Sequence, residues 1–157
     1  MEIKRTQTNA GKTLQIALKD LNGLEGRVGW FRDSKYEDTG EYVAAVAAQN
    51  EYGNPSKHIP ARPFMRPTIR EQQNKWLALA AKLSGQVLEG KIYAHDAMES
   101  IAIQAENDVL KKINSIYEPA LAQRTIDARL ARYTHKGRLN QRQARSITKP
   151  LNDTGHM

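Results

Sequence analysis

The chain of 157 residues carries a formal net charge of +7 and contains no cysteine, which excludes disulfides and cysteine-ligated metal sites. Its length suits a single domain that buries a core without cross-links. It has no run of about 18 apolar residues that would cross a membrane, and its charged N-terminal region lacks the pattern of a signal peptide, so we expect a soluble protein made in the cytoplasm.

Apolar spacing predicts a helix, a strand and a second helix in the first third of the chain. Leucines at three- and four-residue intervals predict a helix over residues 10–21. Alternating apolar positions predict a strand over residues 24–31. Small apolar residues at helical spacing predict a helix over residues 42–52, with Gly53 as the residue that follows its end.

Three prolines punctuate the string HIPARPFMRP (residues 58–67), which is unsuited to a helix or an ordinary strand. Each proline fixes its own φ and biases the preceding residue toward extended geometry, so the loop is stiff. Its apolar side chains can then act as anchors, and Arg62 and Arg66 can hold carboxylates or backbone carbonyls. The string either pins the loop onto its own chain or contacts another subunit, and both interpretations stay open.

Helical periodicity returns in the second half of the chain. It predicts one helix over residues 68–83, a break or bend at residues 84–85 and 89–90, and a longer helix over residues 94–116. Glu118–Pro119 is expected to stop that helix. Beyond Leu121 the apolar pattern supports only one or two further helical turns. The aromatic residues Trp30, Phe31 and Trp76 and the residue Met98 are expected in the core.

Basic residues are concentrated near the C-terminus. Residues 124–149 hold eight basic side chains against one acid, which accounts for the whole net charge. The eight are Arg124, Arg129, Arg132, Lys136, Arg138, Arg142, Arg145 and Lys149. Such a segment can neutralise phosphates without reading bases, since Tyr133 is its only aromatic residue. It can equally be a solvated arm or a surface that faces an acidic partner.

The sequence shows no pattern of catalytic or metal-binding residues. The four histidines are scattered, without a metal-binding motif. Gly11-Lys12-Thr13 lacks the preceding glycine of a phosphate-binding loop, and the paired acids Glu37 and Asp38 lie in a polar loop. We therefore expect no enzymatic activity and no cofactor or metal.

Four separate strings resemble the signature of one protein family. NEYG (residues 50–53) followed by IPARPFMRP (residues 59–67) is similar to the "NE[FY]G … IPARPFLRP" signature of neck and tail-completion proteins of long-tailed bacteriophages. Pro119-Ala120-Leu121 with Thr125-Ile126 and Arg129 is similar to the family's "PPL…TI..R". KPLNDTGHM (residues 149–157) resembles "KPLIDTGxM". The matches occur in family order between about Val28 and the last residue.

The resemblance implies an α+β fold. A small, mostly antiparallel sheet would pack with an N-terminal helix and two to three longer helices, followed by a basic C-terminal loop or arm. Residues 1–123 would form the core, residues 124–149 the basic loop or arm, and residues 150–157 a DTG element of the same domain. The family pattern continues past this element, whereas this chain stops at Met157, so the sheet is expected to lack an edge strand.

The resemblance also implies a structural role in the virion, in the neck or upper tail. Family members form rings, usually hexameric, that join or complete the head–tail connection through which DNA passes. The implied partners are further copies of the chain, the head-closure or connector ring, the tail terminator or tail-tube proteins, and packaged double-stranded DNA contacted without sequence specificity.

Two sets of residues follow as candidate sites. The candidate assembly surface consists of Ile59, Pro60, Ala61, Arg62, Pro63, Phe64, Met65, Arg66 and Pro67. The eight basic residues between 124 and 149 are the candidate contacts to DNA or to an acidic partner. The alternative function is a free-standing, sequence-nonspecific DNA-binding protein that acts through this basic segment.

Overall fold

A computed structural model describes residues 8–37, 39–135 and 147–151. The helices in these residues are α1 (Asn9–Asn22), α2 (Val43–Tyr52), α3 (Met65–Leu88), α4 (Ala94–Ser115) and α5 (Gln123–His135), with a 3₁₀ turn at Pro55–Lys57. None of the described helices combines the length and the apolar character needed to span a membrane.

The prediction of an α+β fold with a mostly antiparallel sheet is wrong. Helices account for 64% of the structure and strands for 3%, and the described residues form no sheet. Their β-type pairing is limited to two isolated bridges, Lys35 with Tyr42 and Asn54 with Ile59. The segment predicted as a strand, residues 24–31, is irregular because no neighbouring segment offers it a ladder of backbone hydrogen bonds.

The other predicted elements are largely confirmed. Gly53 ends α2 with φ of 76°, and Pro67 lies in the first turn of α3. However, α3 begins three residues earlier than predicted and passes through the expected break at residues 84–85 to end at Leu88. The last helix, α5, has 13 residues instead of one or two turns.

The described chain divides into two compact units. The first contains the described part of Met1–Val28 together with Glu71–Glu106. Its buried core is small, and Ala17, Val87, Ala94 and Ala97 pack there with half-buried leucines and Ile92. Leu14 and Leu18, on the predicted apolar face of α1, are 43% and 51% exposed.

The second unit contains Gly29–Arg70 and the described part of Asn107–Met157. The buried residues of its main core cluster come from four places in the chain, and they are Ala47, Phe64, Val109, Ile113 and Leu151. Trp30 packs edge-on against Phe64, with ring centroids 5.4 Å apart. Phe31, by contrast, is 84% exposed, so its predicted place in the core is wrong.

A tight turn after α2 brings the proline-arginine string back onto that helix. Asn54 and Ile59 exchange two backbone hydrogen bonds of 2.8 and 2.9 Å, and the Arg62 N–H donates to the Asn50 carbonyl at 2.7 Å. The turn requires glycine at position 53, because a Cβ there would lie 2.8 Å from the Ala61 nitrogen and φ is positive.

We expect Gly53→Ala to lower the free energy of unfolding by about 1–3 kcal/mol, since both the backbone strain and the clash oppose it. Urea unfolding monitored by circular dichroism measures the change. Gly23→Ala is the matched control, because Gly23 has φ of −107° and a Cβ there meets nothing within 4 Å. Equal stability of the two variants would contradict the assigned role of Gly53.

Candidate functional site

The carboxylate of Glu51, near the end of α2, caps the N-terminus of α3. The Phe64 and Met65 N–H groups donate to its Oε2 at 2.7 and 2.9 Å, and the Arg66 N–H donates to its Oε1 at 3.1 Å. The next residue, Pro67, has no N–H, and the Thr68 N–H already donates to the Phe64 carbonyl. One side chain therefore satisfies every free N–H group at this helix start.

Arg66 fixes the same carboxylate from the side. Its Nε donates to Glu51 Oε1 at 2.9 Å, and its Nη2 donates to the Glu51 backbone carbonyl at 3.1 Å. The guanidinium also lies over the ring of Tyr52, 4.6 Å from the ring centroid. Glu51 and Arg66 thus join α2 to α3 by a charge-assisted pair at a helix N-terminus, where a negative charge is favoured.

These contacts determine the ionisation of Glu51. Burial on its own raises the pKa of this carboxyl group, but the hydrogen bonds from Arg66 and from the three backbone N–H groups lower it further than burial raises it. The net pKa lies below its ordinary value. The folded protein therefore favours the charged form of a residue that is 4% exposed.

Arg62 makes a second link, from the proline-arginine string to the segment after α4. Its Nε donates to the Pro119 carbonyl at 2.7 Å and its Nη2 to the Ala120 carbonyl at 3.1 Å. Arg62 is 5% exposed. Burial, with a smaller contribution from the positive charge of Arg129, lowers the pKa of its guanidinium.

Arg129, on α5, makes the third link. Its Nη1 donates to the carbonyls of Ile147 and Lys149 at 3.3 and 2.7 Å, and its Nη2 donates to that of Pro150 at 3.4 Å. These contacts hold residues 147–151 against the rest of the second unit, where Leu151 is 4% exposed in the core. The planar fork of an arginine suits several carbonyls that converge in this way.

The three links connect the strings on which the family resemblance depends. NEYG supplies Glu51, IPARPFMRP supplies Arg62 and Arg66, and the third string supplies Arg129 and the carbonyls of Pro119 and Ala120. The last string supplies the Lys149 and Pro150 carbonyls, whereas Ile147 lies just before it. The described residues contain no buried side-chain nitrogen or oxygen without a partner. The buried polar atoms of the network are therefore all paired.

The nine candidate assembly residues divide by exposure. Arg62 and Phe64 are buried; Ile59, Met65 and Pro67 are half-buried; Pro60, Ala61, Pro63 and Arg66 are exposed. The string thus holds its own chain through its buried members and Arg66, and its exposed members remain accessible. Whether these contact another subunit stays a prediction.

The eight basic residues do not form one described surface. Arg124 and Arg132 are exposed on α5, Lys149 is half-buried with its Nζ 5.6 Å from the Tyr117 ring centroid, and Arg129 is buried. Lys136, Arg138, Arg142 and Arg145 lie outside the described residues, as does the predicted DTG sequence after Leu151. The predicted division of the chain into a core (residues 1–123), a basic loop or arm (124–149) and a DTG element (150–157) stays a prediction.

The sequence did not identify Glu51 as a functional residue. Its partners lie 13 to 15 residues further along the chain, so no local spacing reveals the cap. An indirect signal exists: the residue before α3 is Phe64, which has no side-chain acceptor, and a helix start of this kind needs an acceptor from elsewhere.

One group of possible metal ligands occurs in the described residues. His95, Asp96 and Glu99 offer ligand atoms within 4.8 Å of one another, and all three residues are exposed. Exposed groups of this type are common on helices, and no further feature of the described residues points to an ion there.

No protein-family model, curated protein or solved structure matches the chain. The residues and their contacts are therefore the basis for assigning a function.

We expect Glu51→Gln to lower the free energy of unfolding at pH 7 by about 1.5–3 kcal/mol, because the cap loses its charge. The folded pKa of Glu51 lies below the unfolded value of 4.5. Its contribution is therefore complete above about pH 4.5 and is lost as the pH falls through the folded pKa. Urea unfolding between pH 7 and pH 3 should show a smaller acid-dependent loss in the variant.

Glu25→Gln is the control for this measurement. Glu25 pairs with Arg27 at the surface, where the two side chains are 69% and 83% exposed. Its substitution should change stability by less than about 0.5 kcal/mol. An acid-dependent loss of the same size in Glu51→Gln as in the parent would contradict the assigned ionisation of Glu51.

We expect Arg129→Lys to lower the free energy of unfolding by about 2–3 kcal/mol, because an ammonium cannot reach three carbonyls as a guanidinium does. The backbone amides of residues 147–151 should exchange faster with deuterium. Mass-spectrometric hydrogen exchange measures this, and Arg124→Lys, exposed on the same helix, is the control. Unchanged exchange at residues 147–151 would show that Arg129 does not hold them.

Proposed function

We propose that the chain is a structural protein of a bacteriophage virion that forms a ring in the neck or upper tail and joins or completes the head–tail connection. The observation that carries this proposal is the convergence of the family-like strings. They are spread between Asn50 and Leu151, and within the second unit they bind one another through Glu51, Arg62 and Arg129.

This convergence supports the resemblance for a physical reason. Unrelated string matches scattered over 100 residues have no cause to meet in space. Here Glu51 binds residues 64–66, Arg62 binds Pro119 and Ala120, and Arg129 binds Lys149 and Pro150, so each of the four strings contacts another. The strings therefore behave as parts of one structural pattern, which is the expected property of a family signature.

The character of the network also suits a building block. Its charges are directed at a helix terminus and at backbone carbonyls, and its apolar members pack around Phe64 and Ile113, which are 1% and 2% exposed. Such contacts stiffen a unit and leave its shape constant when it joins an assembly, which reduces the entropic cost of association.

Size-exclusion chromatography with light scattering tests the proposal, together with negative-stain electron microscopy. We expect a ring-shaped oligomer from the purified chain, or incorporation of the chain into purified neck or tail complexes. A chain that stays monomeric and does not join purified neck or tail complexes would contradict the assignment.

The alternative, a free-standing DNA-binding protein, predicts a different result in the same preparation. A monomer would bind duplex DNA with an affinity that falls steeply with salt. Among the described basic residues, Arg129 is already bound to three carbonyls, so this function would depend on exposed residues such as Arg124 and Arg132. Salt-dependent DNA binding by a monomer, without assembly, would favour this alternative.

A further inference from the structure

The contact between α2 and α3 leaves a distinct surface on the second unit. Tyr52 is 65% exposed at the end of α2, and Arg66, Ile69 and Arg70 occupy the first turns of α3. Residues three and four positions apart share one helix face, so these three side chains are neighbours. We call Tyr52, Arg66, Ile69 and Arg70 the arginine–tyrosine patch.

The geometry of this patch is fixed before any partner binds. Arg66 is held by two hydrogen bonds to Glu51 and by its position over the Tyr52 ring, although its side chain is 54% exposed. Binding therefore costs little side-chain entropy at this arginine or this tyrosine. Exposed tyrosine and arginine residues in fixed positions are typical of the centres of protein interfaces.

The patch retains donors for an acidic partner. Within the described chain, Arg66 Nη1 has no hydrogen-bond acceptor, and the Arg70 side chain has no ion-pair partner. Ile69, 44% exposed between them, adds apolar surface. A carboxylate-bearing protein segment suits this composition better than a phosphate backbone does, because Glu51 already neutralises one of the two arginines.

The same chain offers a segment of complementary charge. The turn before α2 exposes Asp33, Glu37 and Glu41, and no ion pair to these carboxylates occurs within the described residues. The Tyr36 N–H donates to the Glu41 carbonyl and the Gly40 N–H to the Tyr36 carbonyl, both at 2.9 Å, so the two sides of the turn are joined. We call Asp33, Glu37 and Glu41 the acidic turn.

We propose that the arginine–tyrosine patch of one copy binds the acidic turn of the next copy. We take the contact as non-reciprocal: each copy gives its patch to one neighbour and its turn to the other, and a head-to-tail contact of this type closes into a ring when its rotation allows. This inference rests on the proposed function, to which it adds the identity of the subunit interface. The carboxylates of the acidic turn would pair with the free donors of Arg66 and Arg70.

Charge exchange between the two surfaces tests the pairing. Arg70→Glu reverses the patch without touching the helix cap, and Glu37→Lys with Glu41→Lys reverses the turn. We expect each variant alone to lose the ring and to elute as single chains, with unchanged circular dichroism. The chain that carries all three substitutions should recover the ring, and so should an equimolar mixture of the two reversed variants.

Lys82→Glu, an exposed reversal further along α3, is the control and should leave the ring intact. A wild-type ring that is unaffected by Arg70→Glu would overturn the pairing and leave the proposed function standing. Loss of the ring without recovery in the triple variant would also overturn it. A wild-type chain that binds duplex DNA through Arg70 and does not self-associate would overturn both proposals.

Discussion

The structure of the second unit depends on one carboxylate at one helix terminus. Glu51 accepts hydrogen bonds from the three N–H groups at the start of α3. The next residue, Pro67, has no N–H and therefore needs no acceptor. A buried charge of this kind is costly unless it is fully paired, and here the helix terminus and Arg66 pair it. The position of the proline-arginine string follows, since its end must deliver Phe64 to this carboxylate.

The other two arginines extend the same principle along the chain. Arg62 and Arg129 bind backbone carbonyls at places where the chain is irregular, after α4 and after α5. Irregular backbone has no internal hydrogen-bonding pattern, so its carbonyls need donors from side chains. With no sheet in the described residues to organise these segments, the arginines hold them against the apolar residues around Phe64.

The sequence predicts well those features of the fold that depend on neighbouring residues, and it predicts poorly those that depend on residues far away in the chain. Periodicity located α2 and α4, and Gly53 marked the end of α2 because only glycine adopts its backbone conformation easily. The early start of α3 was not predictable, since its cap comes from another helix. The predicted strand failed because strand formation depends on a partner. Residue type alone indicated that Arg62 and Arg66 can hold carbonyls or carboxylates. No nearby residue indicated that Glu51 caps a helix, because the groups it binds lie 13 to 15 residues further along the chain.

The cap by Glu51 has a mechanical consequence. The side chain leaves one helix and holds the first turn of the next, so a force applied to the exposed ring of Tyr52 reaches both α2 and the start of α3. The two helices therefore share any load on that surface. Separating them would expose both the free amides in the first turn of α3 and the buried carboxylate of Glu51. Such a junction would resist shear where a single helix would bend.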